Sequence, residues 1–394
     1  METRGGSDDE LLSLPPFSFL SPGRIEFGRG VRAQTAQRAV AHGKRILLVR
    51  GRSVPWVDAL TEELHSMGAE VTSVFNSGEP TVSGVEQALQ KARARGAEVV
   101  VAVGGGAVLD LGKAVAALAP GPGAIMDHLE GVGAAKPLHG DPLPFIAVST
   151  TAGTGAEVTK NAVIAVPEAG RKVSLRDDRM VPDVAIVDAA LTDGAPRAQT
   201  LASGLDALTQ VIEPFLSHRA NPLTDALCRS AIPLGAMALA RLSKEEDTQA
   251  RDDMAFVSLS GGLALANAGL GAVHGLAGVL GGRLGAPHGL ICGRLMGPVL
   301  AANARAIAEA GADLSRFEAV AQWLGIAFER DAATVFEDLP TLLDSWKVPR
   351  LAQWLTPETD LEAIAREAAG ASSMKANPCV LSTEALVQAM QRAI

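Results

Sequence analysis

The stretch VVVAVGGGAVLDLGKA, residues 99–114, joins an apolar strand pattern to an apolar helix pattern through three consecutive glycines. A strand, a glycine turn and a helix in this order are typical of the βα units of a parallel sheet. Glycines let the backbone approach a phosphate closely, and a helix N terminus presents free N–H groups and the positive end of its dipole. Gly104–Gly106 therefore form either a pyrophosphate-binding turn or a plain tight βα turn, and their spacing differs from the GxGxxG of common dinucleotide-binding domains.

Strand and helix patterns alternate on both sides of this turn. In chain order the segments are RILLVRG (45–51), VDALTEELHSMG (57–68), AEVTSVF (69–75), GVEQALQKARARGA (84–97) and PFIAVS (144–149). Short connections between alternating strands and helices predict a doubly wound parallel sheet. Two hairpins are expected in addition: one pairs AVIAV with RKVSL across PEAG, and the other pairs FSFLSP with RIEFG around Pro22-Gly23.

Beyond Asp188 the strand pattern disappears and helical spacing takes over. Helices are predicted over 197–218, 222–242, 249–268, 289–308, 314–326, 332–346 and 382–393. We therefore expect a flexible tail over 1–14, an α/β dinucleotide-binding domain over 15–193 and an all-helical domain over 194–394. Clefts between two such domains are preferred ligand sites.

The composition excludes several classes of protein. The 394 residues are 47% hydrophobic and 20% charged, which is a globular and not a disordered composition. A net charge of −9 argues against sequence-independent nucleic-acid binding, and no apolar run reaches the roughly 18 residues of a membrane span. The polar N terminus shows no secretory signal, and Cys228, Cys292 and Cys379 have neither metal-type spacing nor a disulfide framework. We expect a cytoplasmic protein, and the absence of tyrosine excludes a tyrosine acid or nucleophile.

A second loop of small residues follows the strand at 144–149. It reads VSTTAGTGAEVTKN (148–161) and carries the hydroxyl groups of Thr150, Thr151 and Thr154. Ligands of open α/β sheets bind beyond the carboxyl ends of the strands, where both this loop and the glycine turn are expected. The two loops together favour a nucleotide cleft. The alternative for the second loop is a Ser/Thr turn that only satisfies its own backbone.

The segment TLASGLDALTQVIEPF (200–215) places polar side chains on one face of an otherwise apolar helix. Asp206, Gln210 and Glu213 follow the spacing i, i+4, i+7. A carboxylate on a mostly apolar face is costly to bury without a partner, and a metal ion is one such partner. The alternative is that Asp206 makes a structural hydrogen bond near the start of the helix.

His274 and His288 lie in the glycine-rich segment NAGLGAVHGLAGVLGGRLGAPHGLICG (267–293). Each could be a core histidine, but both are flanked by glycine in an apolar setting. With Asp206 they supply an Asp/His/His set, whose imidazole and carboxylate donors suit Fe(II) or Zn. The remaining histidines lack this setting and are interpreted as surface or structural residues: His42, His65, His128, His139 and His218.

These four motifs, in this order, resemble the iron-containing (group III) alcohol dehydrogenase family. The resemblance extends from RIEFGRG to the Asn377-Pro378 pair and is most specific in the block DAALTDGAPRAQTLASGLDALTQVIE and in the paired histidines. It implies the dehydroquinate synthase-like fold, with NAD(P)(H) between an N-terminal dinucleotide-binding domain and a helical domain that holds metal and substrate. It also implies hydride transfer between the nicotinamide and a small alcohol, aldehyde or ketone, whose oxygen one divalent metal polarises.

Carried over position by position, the resemblance assigns site residues in both domains. The metal ligands fall on Asp206, Gln210, His274 and His288. The cofactor contacts fall on Gly51, Arg52, Gly104, Gly105, Gly106, Asp110, Thr150, Thr151, Thr154 and Lys172. We expect a small-molecule alcohol or carbonyl substrate, no nucleic-acid or membrane partner, and a homodimer.

Three positions depart from the family pattern. Gln210 stands where the family usually has His and offers at best a neutral oxygen, so the metal, Fe or Zn, is expected to be weakly held or absent. Gly278 stands where a further His often lies near the substrate, and Ala107 stands where Ser is frequent. These departures keep open a maleylacetate reductase-like enzyme, a polyol dehydrogenase, or a degenerate nucleotide-binding protein with little redox activity.

The end of the strand RILLVRG predicts the choice of cofactor. NAD-selective domains use an acidic residue there to bind the ribose 2′-OH. In the resembling pattern this position is Gly51, between Arg50 and Arg52, and two guanidinium groups could bind a 2′-phosphate. We therefore expect NADP(H) to be preferred over NAD(H). The alternative is that both are surface arginines on a loop.

Overall fold

A six-stranded parallel sheet forms the centre of the N-terminal half in the computed structural model, which describes residues 16–52 and 54–394. The strands of this half are β1 (Arg24–Phe27), β2 (Arg45–Arg50), β3 (Glu70–Phe75), β4 (Val99–Gly104), β5 (Phe145–Ser149), β6 (Asn161–Val166), β7 (Arg171–Arg176) and β8 (Val184–Val187). The order across the large sheet is β1-β8-β5-β4-β2-β3, and β6 and β7 form a separate antiparallel pair. The tail predicted over 1–14 lies outside the described residues.

Helices cover the sheet and make up the C-terminal half. The helices between the strands are α1 (Thr35–His42), α2 (Trp56–Ser66), α3 (Val82–Ala94) and α4 (Gly106–Leu118). The C-terminal half contains α5 (Arg197–Leu216), α6 (Pro222–Leu242), α7 (Thr248–Ala268), α8 (Ala272–Leu284), α9 (His288–Glu309), α10 (Ser315–Phe328), α11 (Val335–Ser345), α12 (Leu361–Ala369) and α13 (Thr383–Ala393). The predicted fold class, a parallel α/β half followed by a helical half, is confirmed.

Strand β4 and helix α4 fix the position of the glycine turn. All six residues of β4 are buried, as is typical of a central strand in a parallel sheet with helices on both faces. Gly112 lets α4 pack directly on this strand, because a Cβ atom there would lie 2.7 Å from Ala102 Cβ. The first turn of α4 therefore lies at the carboxyl end of β4.

One predicted hairpin is confirmed and the other is wrong. Strands β6 and β7 pair antiparallel, as expected for AVIAV and RKVSL. The segment FSFLSP forms no strand, and β1 instead pairs in parallel with β8, with Arg24 opposite Val184. The physical reason is that β8 is fully buried and its outer edge needs a backbone partner, which a local hairpin around Pro22-Gly23 would not supply.

Two helices of the C-terminal half, α8 and α12, are missing from the sequence-based prediction. Helix α8 contains four glycines, each of which lowers helix propensity by about 1 kcal/mol relative to alanine. Among the described helices, α6 has the length and apolar composition of a membrane-crossing helix, as does the bent pair α7 and α8 taken together. The inner face of α6 is buried in the core of the helical half, around Cys228, Ile232 and Leu239.

The two halves touch where the loop after β5 meets α7. Gly155 has a φ of +59°, and a Cβ atom on it would lie 2.6 Å from Gly262 Cα. Two glycine backbones are therefore in direct contact, with no room for a side chain on either. This contact holds the threonine loop against the helical half and positions it beside α5.

Candidate active site between the two halves

A cleft of about 690 Å³ lies between the sheet and the helical half. Gly105 and Gly106 of the glycine turn line it on one side, next to Thr151 and Thr154 of the threonine loop. The opposite side includes Asp206 and His288, together with other residues of α5 and α9. One cavity therefore contains both the predicted phosphate loops and two of the predicted metal ligands.

The glycine turn and the threonine loop are packed against each other. A Cβ atom on Gly105 would lie 3.2 Å from Thr151 Cγ2, and one on Gly106 would lie 2.8 Å from Thr154 Oγ1. The N terminus of α4 opens into the cleft at this point, and its N–H groups and dipole favour an anion. The geometry suits the pyrophosphate of a dinucleotide, because backbone and not side chains forms this part of the wall.

Gly104 and Thr150 lie behind these loops. The Thr150 N–H donates to the Gly104 carbonyl oxygen at 3.0 Å, which ties the ends of β4 and β5 together. Thr150 also borders a second and much smaller cavity beside Thr200 and Arg251. Both residues shape the loops, and their direct contact with a cofactor stays a prediction.

Asp110 and Lys172 are engaged by other protein groups. Asp110 Oδ2 accepts the Val163 N–H at 3.0 Å and so ties α4 to β6. Burial raises the pKa of Asp110 to about 6, although the nearby ammonium of Lys113 opposes this shift. Lys172 Nζ lies 3.1 Å from Glu79 Oε1. The cofactor contacts assigned to these two residues also stay predictions.

The arginines at the end of β2 are not equivalent. Arg50 is largely buried, donates to the carboxylate of Asp58 and stacks on Phe75 with its guanidinium carbon 5.4 Å from the ring centre. The charge of Arg50 is therefore already paired with a carboxylate, and its contact with a 2′-phosphate stays a prediction. Arg52 is exposed, and Gly51 has open space, with Val108 Cγ2 3.9 Å from the position of a Cβ atom.

Helix α5 brings Asp206, Gln210 and Glu213 to one buried face, as their spacing predicts. Glu213 makes contacts that the sequence did not reveal. Its Oε2 lies 2.6 Å from His274 Nδ1, and its Oε1 accepts the Val273 N–H at 2.7 Å. One carboxylate therefore orients the imidazole and also caps the first turn of α8.

The imidazole groups of His274 and His288 converge on Asp206. His274 Nε2 lies 3.4 Å from Asp206 Oδ1, and His288 Nε2 lies 3.8 Å from the same oxygen. His274 is buried, whereas the side chain of His288 is 39% exposed. The three residues come from three helices, and His288 and Asp206 reach the cleft where a substrate could meet them.

This cluster has the properties of a cation site. Asp206 Oδ1 and His274 Nε2 are buried and have no hydrogen-bond partner among the described residues, although buried polar atoms are normally paired. Burial opposes the charge of Asp206, yet His288 and His274 hold its pKa below the ordinary value. The neighbouring Cys292 and Asp206 raise the pKa of His288 to about 9, against the effect of burial. A buried cavity that favours positive charge, with unpaired oxygen and nitrogen donors, fits a divalent metal.

Gln210 lies beside the cluster but is bound to the other half of the protein. Its Nε2 donates to the Thr154 carbonyl oxygen at 2.7 Å. This bond fixes the amide orientation, because only the nitrogen of the amide can donate to a carbonyl. Gln210 therefore connects α5 to the threonine loop, and its ligation of a metal through Oε1 stays a prediction.

Cys292 is the member of the cluster that sequence analysis missed. The thiol is buried, and Sγ lies 3.6 Å from His288 Nε2. One ligand atom from each of Asp206, His274, His288 and Cys292 lies within 4.8 Å of the others. The sequence did contain a signal for this contact: Cys292 follows His288 by four residues, which is one helical turn. The spacing between the cysteines themselves gave no such signal.

Gly278 leaves open space next to the cluster. It lies one turn after His274 in α8, it is exposed, and nothing lies within 4 Å of the position of a Cβ atom. The imidazole that relatives often place here has no substitute side chain at this position.

Comparisons with known proteins agree with this geometry. Residues 22–189 match the family model described as iron-containing alcohol dehydrogenase, and residues 200–394 match the model of the Fe-containing alcohol dehydrogenase family, C-terminal. The chain is 32% identical over 388 residues to alcohol dehydrogenase 4 of Saccharomyces cerevisiae strain YJM789, which covers 96% of this chain and 97% of that protein.

Two further matches involve proteins named for a diol. The chain is 34% identical over 313 residues to 1,3-propanediol dehydrogenase of Klebsiella pneumoniae, which covers 77% of this chain and 80% of that protein. A solved structure of a 1,3-propanediol oxidoreductase matches with a TM-score of 0.86 at 29% identity, covering 96% of this chain and 100% of that chain.

Proposed function

The chain belongs to the iron-containing alcohol dehydrogenase family, and from this premise we propose that it acts on small, uncharged alcohols and their aldehydes with NADP(H) as the preferred nucleotide. The enzyme transfers hydride between NAD(P)(H) and a small alcohol or carbonyl compound. The observation that carries the site assignment is the pair of buried, unpartnered atoms Asp206 Oδ1 and His274 Nε2, close to two nucleotide loops.

The helical half supplies the metal ligands, and the α/β half supplies the nucleotide-binding loops. A divalent metal held by Asp206, His274 and His288 would supply Lewis-acid polarisation of the substrate oxygen. Glu213 holds the Nδ1 proton of His274, so that Nε2 is the nitrogen that would bind the metal. The N terminus of α4 would bind the pyrophosphate of the nucleotide.

The walls of the cleft favour an uncharged substrate. Leu201, Leu290, Val348 and Trp354 are among the lining residues. The guanidinium of Arg197, which also lines the cleft, donates to the Ser243 carbonyl oxygen through both Nε and Nη2. A keto diacid such as maleylacetate carries two carboxylates, whereas the arginine and lysine that line the cleft are Arg197, which is bound to Ser243, and the exposed Lys347. Because the rest of the lining is largely apolar, a neutral aldehyde is the better match.

The experiment that tests this function is a substrate panel on metal-loaded enzyme. Initial rates of NADPH oxidation would be measured with propanal, 3-hydroxypropanal and maleylacetate. We expect the two aldehydes to give the higher kcat/KM, and the hydroxyl of 3-hydroxypropanal to change it by no more than about 100-fold. Preferred turnover of maleylacetate would overturn the substrate class. Nucleotide binding without turnover of any substrate would favour the degenerate alternative.

The proposed NADP(H) preference is supported by Gly51 and Arg52. Gly51 offers no carboxylate to repel a 2′-phosphate, and Arg52 is exposed beside it. Because the charge of Arg50 is paired with Asp58, the proposal rests on the guanidinium of Arg52 alone. The ratio of kcat/KM for NADPH and NADH measures the preference directly.

We also propose a boundary between domains at residue 193, a homodimeric assembly and a cytoplasmic location. The boundary falls between the last strand of the sheet and the start of α5. A dimer is supported by β1 at the edge of the large sheet, where Phe27 is exposed. Light scattering coupled to size-exclusion chromatography tests the dimer, and fractionation of cells tests the location.

A further inference from the structure

We propose that Cys292 Sγ is a fourth protein ligand of the divalent metal, together with Asp206, His274 and His288. It takes the place of the imidazole that Gln210 does not provide. This inference rests on the proposed metal-assisted function, and it assigns the site an Asp/His/His/Cys donor set. This donor set differs from the one that the resemblance implied, which had Gln210 and not a cysteine in the fourth position.

The position of Cys292 in helix α9 brings its sulfur to the cluster. His288 is the first residue of α9, and Cys292 follows one turn later on the same face. The thiol is fully buried and lies 3.6 Å from His288 Nε2. Any ion that contacts His288 Nε2 from inside the cluster therefore lies within reach of this sulfur.

The spacing of the donor atoms matches tetrahedral coordination. Bonds of 2.0–2.3 Å to nitrogen, oxygen and sulfur place the donors of a tetrahedral zinc site roughly 3.3–3.8 Å apart. The observed separations are 3.4 Å for His274 Nε2 and Asp206 Oδ1, 3.8 Å for His288 Nε2 and Asp206 Oδ1, and 3.6 Å for His288 Nε2 and Cys292 Sγ. All four donors lie within 4.8 Å of one another.

Two independent observations support Cys292 as the fourth protein ligand of the cluster. Asp206 Oδ1 and His274 Nε2 are both buried and unpartnered in the described part of the chain, and the two residues are only 4% and 7% exposed. Gln210, the alternative fourth ligand, has its amide nitrogen bound to Thr154. The thiol of Cys292 is therefore the remaining strong donor that faces these atoms.

A thiolate changes which metal the site selects. Sulfur is a soft ligand that favours zinc over the harder first-row ions. A thiolate also brings a negative charge to the metal, which the neutral amide of Gln210 cannot do. We therefore expect the enzyme to retain Zn²⁺ more tightly than Fe²⁺. Because the coordinating form is the thiolate, metal binding releases the thiol proton.

Cys228 offers a matched control within the same chain. It is as buried as Cys292, in helix α6, but it lies outside the cluster. Burial raises the pKa of Cys228 to about 12, and this thiol belongs to no group of candidate metal-binding side chains in the described part of the chain. A Cys228→Ser variant thus reports the cost of removing a buried thiol without removing a ligand.

The test uses Co²⁺ as a spectroscopic substitute for Zn²⁺ in the reduced, full-length protein. Wild type, Cys292→Ser and Cys228→Ser would be loaded with Co²⁺, and their near-ultraviolet absorption would be recorded. We expect a sulfur-to-cobalt charge-transfer band in the wild type and in Cys228→Ser, and no such band in Cys292→Ser. Thermal unfolding of the metal-free proteins checks that each variant folds.

Zinc affinity provides the second readout. Loss of a residue that only supports a ligand typically costs 10–100-fold in metal affinity, so loss of a ligand should cost at least ~100-fold. Competition with a chelator should show this loss for Cys292→Ser and not for Cys228→Ser. If Cys292→Ser does not fold, two measurements on the wild type still test the ligand assignment. These are the charge-transfer band of the Co²⁺ complex and the rate at which an alkylating reagent modifies Cys292, which bound Zn²⁺ should lower.

The outcomes separate this proposal from the proposed function. A Co²⁺ complex of the wild type without the charge-transfer band, or failure of the protein to bind metal, overturns the role of Cys292. A clear band in a protein that turns over no alcohol leaves the ligand assignment standing and overturns the substrate proposal instead.

Discussion

Glu213 and His274 share a hydrogen bond of 2.6 Å between Oε2 and Nδ1 inside the helical half. The second oxygen of the same carboxylate accepts the backbone N–H of Val273 at 2.7 Å, and this contact fixes the orientation of the carboxylate. Nδ1 of His274 therefore carries a proton, and Nε2 faces the space beside Asp206. The orientation of this imidazole is set before any ligand arrives.

Glu213→Gln should weaken metal binding while the protein remains folded. The amide oxygen would still accept the Val273 N–H, which turns the amide NH2 toward His274 Nδ1 and moves the imidazole proton to Nε2. We expect a loss of about 10–100-fold in metal affinity, measured by competition with a chelator. Unchanged affinity in a variant with wild-type thermal stability would contradict this role of Glu213.

Gly105→Val should block the approach of the cofactor to the glycine turn. A Cβ atom at this position already lies 3.2 Å from Thr151 Cγ2, and the further methyl groups of valine would occupy the space in front of the α4 N terminus. We expect at least a tenfold loss in NADPH affinity by fluorescence titration, about 1.4 kcal/mol or more. Retained affinity in a folded variant would show that the pyrophosphate binds elsewhere.

Cofactor choice should depend on residues 51 and 52. Gly51→Asp adds a carboxylate that repels a 2′-phosphate and can accept from a ribose hydroxyl, so kcat/KM should shift toward NADH. Arg52→Ala should lower kcat/KM for NADPH and leave NADH nearly unaffected. A wild-type enzyme with clearly higher kcat/KM for NADH would refute the assignment.

Gly278→His should add a titrating group beside His274. The position is exposed and has no atoms within 4 Å of the place that a Cβ atom would occupy, so a side chain can leave the backbone there without a clash at Cβ. Because histidine titrates near pH ~6.5, the pH profile of kcat should gain an ionisation in that range. Gly278→Ala serves as the control, and equal profiles for both variants would exclude proton transfer through this position.

Removal of the metal should abolish turnover reversibly. A strong chelator should remove activity, and added Zn²⁺ or Fe²⁺ should restore it. His274→Ala should lose bound metal and turnover, because His274 Nε2 is one of the buried donors, whereas His42→Ala on the exposed end of α1 should retain both. Full activity in protein that elemental analysis shows to be free of metal would favour a direct polar contact between this cluster and the substrate.

The sheet was predictable because its signals are local. Strand β4, the glycine turn and α4 follow one another directly, and each has the apolar pattern of its final environment. The partner of β1 was not predictable, because Arg24 pairs with Val184, far away in the chain. Helix α8 was missed for a similar reason: its glycines disfavour a helix locally, and a distant carboxylate, Glu213, binds its first turn.

The candidate site was predictable in residue type but not in its connections. The Asp/His/His set of Asp206, His274 and His288 was proposed from residue types and their apolar, glycine-rich setting, and the resemblance to a family then assigned these residues as metal ligands. Cys292 was judged by its distance from other cysteines, and its helical spacing from His288 carried the information instead. The bond from Gln210 to Thr154 crosses between the two halves, and no sequence pattern reports such a contact.

The Gln210–Thr154 hydrogen bond makes the effect of a mutation at position 210 depend on position 292. In the present sequence, histidine at position 210 would replace a bond between the halves with an additional nitrogen donor. In a background that lacks the Cys292 thiol, the same histidine would supply a missing donor. The two positions are therefore epistatic, and their effects should not add. The order in which they change decides whether the intermediate protein keeps its metal.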